Sequence, residues 1–280
     1  MFNAGAYHTL KVSRISDHGL YLSDEEGNEV LLPNRYVSLE NRVGDMLDVF
    51  VYHDSEDRLI ATTEKPYGKV GEVAYLRVVD KTVHGAFMDW GITAKDIFLP
   101  NRNMQGYVEP NRKYIVYIYR DSVTGRAVAS MGLRSFVSNE GLALRRGQEV
   151  NIIIAQRMDN GFRVVIDNRY WGMIYDNQIF GDVQVGDRIK AYVRRITDDN
   201  RVDVSLQQEG YDEVKKSADR LLELLRSNGG SLPLHDGSAP EEVAARTGMS
   251  KKVFKRTSGY LMKRGDIEMG TGSIKIQEVK

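Results

Sequence analysis

The feature that most constrains the fold is a tetrapeptide that returns. Leu32-Pro33-Asn34-Arg35 recurs as Leu99-Pro100-Asn101-Arg102, 67 positions on, and Asp54-Ser55 recurs as Asp121-Ser122 at the same offset. Between these anchors Val49-Phe50-Val51-Tyr52 answers to Val116-Tyr117-Ile118-Tyr119. A third, fainter copy follows: Gly44-Asp45 matches Gly186-Asp187, and Tyr175-Asp176-Asn177 falls where the earlier copies have Leu-Pro-Asn. Self-similarity at a fixed spacing means one structural unit used repeatedly, so three modules are expected before any residue is assigned to an element.

Each unit reads as β. Short runs rich in Val, Ile and Tyr alternate with Gly, Asp and Asn clusters and show little helical periodicity. Asp17-His18-Gly19, Val83-His84-Gly85 and Asp159-Asn160-Gly161 are tight-turn signals at the entry to a second strand. A unit of roughly 65 residues with about five strands fits a small closed barrel, which leaves no sheet edge exposed. A propeller blade or a sandwich is the alternative use of the same strands.

Alternation sorts core from surface. Ala86, Met88 and Trp90 share one face of their strand, which leaves Phe87 and Asp89 on the wet side with Phe87 exposed. By the same rule Leu20 and Leu22 point inward and Tyr21 and Ser23 outward, while Phe162, Val164 and Ile166 point inward and Arg163 and Asp167 outward. The equivalent outward position is thus Tyr21, Phe87 or Arg163, each a planar group able to stack on a base. Arg58, Arg126 and Arg201 each lie four residues before a closing Thr62, Ser130 or Ser205. An outward arginine beside an outward planar side chain suits single-stranded nucleic acid, the cation on phosphate and the ring on a base. The structural alternative is an aromatic covered by a neighbouring module and an arginine that merely opens a strand.

Charge is unevenly spread along a chain whose net charge is zero. Residues 10–66 carry 6 Lys and Arg against 12 Asp and Glu, whereas residues 67–136 carry 10 against 6. Neutrality of the whole therefore does not argue against an anionic partner. The absence of cysteine excludes disulfides, thiolate chemistry and Cys-ligated metal sites. The five histidines, His8, His18, His53, His84 and His235, have no metal-ligand spacing, and no phosphate-cradling Gly-x-x-x-x-Gly-Lys loop is present. The start, Met1 to Tyr7, has neither the basic segment nor the apolar core of a signal peptide, and no apolar run reaches the ~20 residues that span a bilayer. The expectation is a cytoplasmic protein that is not an enzyme, has no cofactor or metal and makes no membrane contact.

After Tyr211 the period changes. Val214, Ala218, Leu221, Leu222 and Leu225 mark an amphipathic helix that Asn228-Gly229-Gly230 ends. Pro240-Glu241-Glu242 opens a second helix, with acids at its positive end. Gly248-Met249-Ser250 breaks it, and Ser250 caps a third helix to about Arg264. Residues 265–276 alternate around a glycine turn like a hairpin. Three helices and a hairpin look like a winged helix. Its third helix carries Lys251, Lys252, Lys255, Arg256, Lys263 and Arg264 and no acid, a candidate nucleic-acid contact or a solvated face.

The three copies resemble the RNA-binding repeat of small-subunit ribosomal protein S-one, an oligonucleotide/oligosaccharide-binding (OB) barrel. Val83-His84-Gly85-Ala86-Phe87-Met88-Asp89 carries that resemblance most clearly. It implies RNA-facing roles for His84, Phe87 and Arg126 in copy two, for His18, Tyr21 and Arg58 in copy one, and for Tyr175 and Arg201 in copy three, with Arg163 at the ring position. Copy three departs by having Asn160 and Arg163 where the family has rings, and copy one by its acidity. Three such barrels followed by a winged helix resemble the conserved virulence factor B family of bacteria, through the Leu-Pro-Asn-Arg motifs and the Met249 to Arg256 stretch.

The expected fold is mainly β with a C-terminal α+β domain: five-stranded OB barrels over 1–64, 67–136 and 144–210, then a winged helix over 211–280. The expected function is an RNA-binding regulator that holds single-stranded RNA on its barrels and acts after transcription. The alternative is a transcription regulator that holds duplex DNA on the winged helix, with the barrels as docking modules. A protein is a further partner for the winged helix.

Overall fold

The computed structural model describes residues 2–179, 181–207 and 211–277. The first module comprises β1 (Ala6–Ser16), β2 (Gly19–Ser23), β3 (Glu29–Pro33), β4 (Met46–His53) and β5 (Leu59–Thr62). The second comprises β6 (Val73–Lys81), β7 (Gly85–Ile92), β8 (Lys95–Pro100), β9 (Lys113–Arg120) and β10 (Ala127–Ser130). The third comprises β11 (Glu149–Met158), β12 (Gly161–Ile166), β13 (Tyr170–Tyr175), β14 (Arg188–Ile196) and β15 (Val202–Ser205). All three are closed barrels with one circular order, in which the third strand lies parallel to the fifth and the fourth returns to the first. The sandwich and blade alternatives are thereby excluded.

The repeated residues recur because each barrel meets the same steric demands. A Cβ on Gly19, Gly85 or Gly161 would collide with the carbonyl oxygen of Leu32, Leu99 or Ile174 on the next strand, so only glycine fits. Leu32 and Leu99 are fully buried. The following Asn34 and Asn101 donate from Nδ2 to the carbonyls of Asp17 (2.6 Å) and Val83 (2.7 Å), tying the third strand's end to the first turn. Asp54 and Asp121 accept backbone N–H groups of their own turns, Asp54 from Glu56 (2.8 Å) and Arg58 (3.0 Å), Asp121 from Val123 (3.1 Å) and Thr124 (2.9 Å). The motifs that reveal the repeat are therefore structural. In each barrel the first strand also breaks register, at Val12/Arg14, Val78/Asp80 and Ile154/Gln156, the kind of bulge that coils a strand around a small barrel.

Register corrects one assignment. Gly161 pairs with Tyr175 as Gly19 does with Pro33 and Gly85 with Pro100. Tyr175 thus occupies the proline position, and Ile174 takes the place of Leu32 and Leu99. A slip of one residue exchanges the two faces of a strand, so the buried Ile174 belongs with the core and the half-buried Tyr175 with the outer face.

The barrels do not stand apart. Phe50 and Tyr52 of the first join the core of the second, with Phe50 edge-on to Trp90 at 5.4 Å. The second and third share a separate cluster of Val73, Leu133, Val137, Ile153 and Val165. Asn168 Oδ1 accepts from Val73 N at 3.0 Å, and Arg188 donates to the Val73 carbonyl at 2.6 Å. Val165, which alternation places outward, is buried by this junction.

Residues 1–206 form one compact unit and residues 207–280 another. The second holds α1 (Tyr211–Ser227), β16 (Ser231–Leu232), α2 (Pro240–Thr247), α3 (Lys251–Arg264), β17 (Ile267–Met269) and β18 (Ile274–Ile276). Ala218, Leu221 and Leu225 of α1 pack with Phe254 and Leu261 of α3 in its core. Ser250 caps α3, its Oγ accepting from Val253 N at 3.3 Å. The hairpin gains a strand the sequence does not suggest, because Ser231–Leu232 is too short for alternation to register, and the sheet order is β16-β18-β17. Residues 210 and 280, the expected ends of the last two modules, lie outside the described residues. No described helix is long and apolar enough to cross a membrane.

Candidate nucleic-acid interface

In the second barrel His84, Phe87 and Arg126 line one groove of about 680 Å3, together with Phe98, Lys95 and Arg102. His84 reaches it from the turn before β7, Phe87 from β7 itself, and Arg126 from the residue before β10. Phe87 is half-buried rather than exposed. It stands opposite Phe98 on β8, their rings 5.2 Å apart and tilted by 44°, so the two make a cross-strand aromatic platform. Sequence reading missed Phe98 because β8 has no recognised pattern beyond Leu-Pro-Asn-Arg.

The cations here are engaged. Arg126 pairs with Asp57, a residue of the first barrel's β4–β5 turn, and its hydrogen bond holds the Asp57 carboxyl below the usual carboxylate range. Arg102 pairs with Asp121 at 2.8 Å. Lys95 Nζ donates to the Asp54 carbonyl at 3.1 Å, and burial pushes its ammonium pKa down. Burial likewise lowers the His53 imidazole.

The corresponding face of the first barrel is covered by its own side chains. The Arg14 guanidinium lies 3.4 Å from the centre of the Tyr21 ring and is anchored to Glu29 at 3.0 Å. Arg58 is held by Asp54 through Nε and Nη2 at 2.9 and 2.7 Å, and by Glu56 at 3.0 Å. His18 is exposed at its turn, its backbone N–H donating to Ser16 Oγ. The acid-rich composition of residues 10–66 is expressed in the structure as carboxylate pairing of Arg14 and Arg58 on this face.

In the third barrel Arg163, Tyr175 and Arg201 line a groove of about 570 Å3 with Asn160 and Trp171. Arg201 pairs with Asp199 of its own turn at 2.8 Å. Arg163 makes no ion pair among the described residues and lies 5.5 Å from the Trp171 ring centre. Trp171 escaped the sequence reading because neither other copy has an aromatic at that register. Its backbone is gripped at both ends by Asn139, whose Oδ1 accepts from Trp171 N (2.7 Å) and whose Nδ2 donates to Trp171 O (3.0 Å).

On α3, Lys252, Lys255, Arg256, Lys263 and Arg264 are exposed and Lys251 is half-buried. Lys252, Lys255, Arg256 and Lys263 fall on one stripe by helical spacing. Arg264 instead folds onto Asp266 (2.9 Å) and the Tyr260 ring (5.4 Å).

Residues 4–64 and 70–131 each match the S1 domain family, and residues 219–276 match the CvfB-like winged helix domain. An uncharacterized protein of Bacillus subtilis (strain 168), YitL, is 27% identical over 275 residues, covering 96% of this chain and 92% of its own. The conserved virulence factor B of Staphylococcus aureus (strain USA300) is 20% identical over 280 residues, covering 96% and 93%. A solved multidomain protein with nucleic acid binding domains from Streptococcus pneumoniae TIGR4 superposes with a TM-score of 0.42 at 20% identity over 98% of each chain.

Proposed function

We propose, on the premise that the S1 domains and the CvfB-like winged helix place the chain in the conserved virulence factor B family, that it is an RNA-binding regulator acting after transcription. Its modules are 1–64, 67–136, 144–210 and 211–280. The second and third barrels hold single-stranded RNA, with bases on Phe87, Phe98, His84, Trp171 and Tyr175 and phosphates on Arg126, Arg163 and Arg201. The first barrel does not bind, because Arg14 lies over the Tyr21 ring and the surplus of acids over residues 10–66, 12 against 6 Lys and Arg, repels phosphate.

The observation that carries this reading is the pair of grooves at the equivalent outer face of two barrels, each joining aromatic rings to arginine. Exposed ion pairs such as Arg126–Asp57 and Arg201–Asp199 contribute only ~0–1 kcal/mol, so phosphate can replace the carboxylate. Binding is the role, not catalysis, in keeping with the two domain families. The basic stripe of α3 favours a second reading, duplex DNA on the winged helix.

Direct competition between single-stranded RNA and duplex DNA tests both. The proposed function requires RNA to win, with an affinity that falls with salt at a slope of about 0.7 per phosphate contacted. Preference for the duplex would transfer the function to α3.

A further inference from the structure

The cations that line the barrel-two groove are engaged, and the three arginines expected just before each last strand have carboxylate partners: Arg58 with Asp54 and Glu56, Arg126 with Asp57, Arg201 with Asp199. A different place in the barrel unit has the opposite character. Between the second and third barrels lies a groove of about 690 Å3 in which Lys113, Arg134 and Arg163 converge and no carboxylate lines the wall. None of these three cations makes an ion pair among the described residues. Uncompensated positive charge in a concave site raises the local concentration of anions.

Aromatic surface accompanies the charge. Trp171 is half-buried and held by Asn139. Tyr75 of β6 packs so closely over Gly186 of the third barrel that a side chain there would strike the ring. Lys113 Nζ lies 5.7 Å from that ring's centre. The groove is also continuous with the barrel-three face, since Arg134, Arg163 and Trp171 line both. The shared cluster around Val73 and Val165 fixes the two barrels, so the walls are formed before any ligand arrives.

We infer that the groove between barrels two and three is a binding segment for single-stranded nucleic acid, which carries a strand onward from the barrel-three face. Lys113 and Arg134 take its phosphates, and Trp171 takes a base, since Arg163 lies 5.5 Å from its ring centre whereas Arg14 lies 3.4 Å from that of Tyr21. This rests on the proposed RNA-binding function and adds a site to it. A strand seated here contacts two barrels at once, so the length it needs exceeds what one barrel covers.

The test uses the full chain, a labelled uridine dodecamer, and the variants Lys113→Ala, Arg134→Ala and their combination. All are exposed positions, and unchanged thermal unfolding confirms that they fold. The double variant is expected to bind about tenfold more weakly, with a salt slope smaller by about 1.4. Arg194→Ala, an exposed arginine of the third barrel that lines neither groove, controls for net charge and should change little. Unchanged affinity and slope in the double variant, with wild type binding normally, would overturn the junction site while leaving the barrel reading in place. An equal loss in Arg194→Ala would overturn it as well, by reducing the effect to overall charge. If wild type binds no single-stranded RNA, or prefers duplex DNA, the underlying function fails and the junction site with it.

Discussion

The first and second barrels share a topology, a glycine at the same close approach and a motif at the same turn, yet their outer faces are in opposite states. In the first, Tyr21 lies under Arg14 and Arg58 is locked into its own turn. In the second, Phe87 and Phe98 form a platform in an open groove, and the arginine beside them is held from outside by Asp57 of the first barrel. The contrast teaches that one barrel fold can carry a covered outer face or an open one, according to the side chains that flank it. The first barrel supplies Phe50 and Tyr52 to its neighbour's core and an acid to its neighbour's groove, while Arg14, held by Glu29, covers Tyr21 on its own face.

If the first barrel is packed into the second, the contact that fuses the two should dominate stability. Trp90 is 2% exposed, edge-on to Phe50, and donates from Nε1 to the Gly68 carbonyl at 2.7 Å. Trp90→Ala should cost about 3–5 kcal/mol, read by thermal or denaturant unfolding, with both barrels affected. A loss below about 1 kcal/mol would mean that the barrels are merely adjacent.

The binding contrast is next in size. Phe87→Ala should weaken single-stranded RNA by about 1–3 kcal/mol. Because the ring packs on Phe98, some stability should go with it, so both affinity and unfolding are to be measured. Tyr21→Ala should leave RNA affinity unchanged. Equal losses at the two positions would erase the distinction between the barrels.

A smaller effect sharpens it. Asp57→Asn removes the charge that competes for Arg126 and should strengthen RNA binding by roughly threefold, with an unchanged salt slope, because Arg126 contacts a phosphate in either case. Weaker binding would show Asp57 to be a positioning group rather than a competitor.

The smallest effect is a pH dependence at the same junction. Burial lowers the His53 pKa from its usual value, against Asp57, which raises it, and with Arg120, Arg126 and Lys95, which lower it further. The unfolded chain therefore takes up the proton first as pH falls. The contribution of neutral His53 is complete above about pH 6.5 and is lost as pH drops through the lowered folded value. A His53→Gln variant should show a flatter stability profile between pH 7 and 5, and an identical profile would remove His53 from the account.

Much of the fold was legible because its constraints are local and threefold repeated. Gly19, Gly85 and Gly161 could be read as strand entries, and the inward sets Leu20/Leu22 and Ala86/Met88/Trp90 are buried as alternation requires. The candidate site was legible only in part. Alternation placed Phe87 outward but was silent on Phe98 across the ladder, and the one-residue misplacement of Tyr175 shows how little a faint motif constrains register without a pairing partner.

By itself the sequence determined the number of barrels, the core side of the second strand in each and the change to helices after Tyr211, since each follows from the spacing of residues near in the chain. Only the tertiary structure decided which outer faces stay open. Val165 is outward by period and buried by the second barrel, Arg126 is free by period and paired with an acid 69 residues away, and Lys113, Arg134 and Arg163 meet in one groove although no motif joins them. The physical reason is that periodicity reports which side chains share a face of one strand, whereas what covers that face, or neutralises it, is set by another barrel far away in the chain.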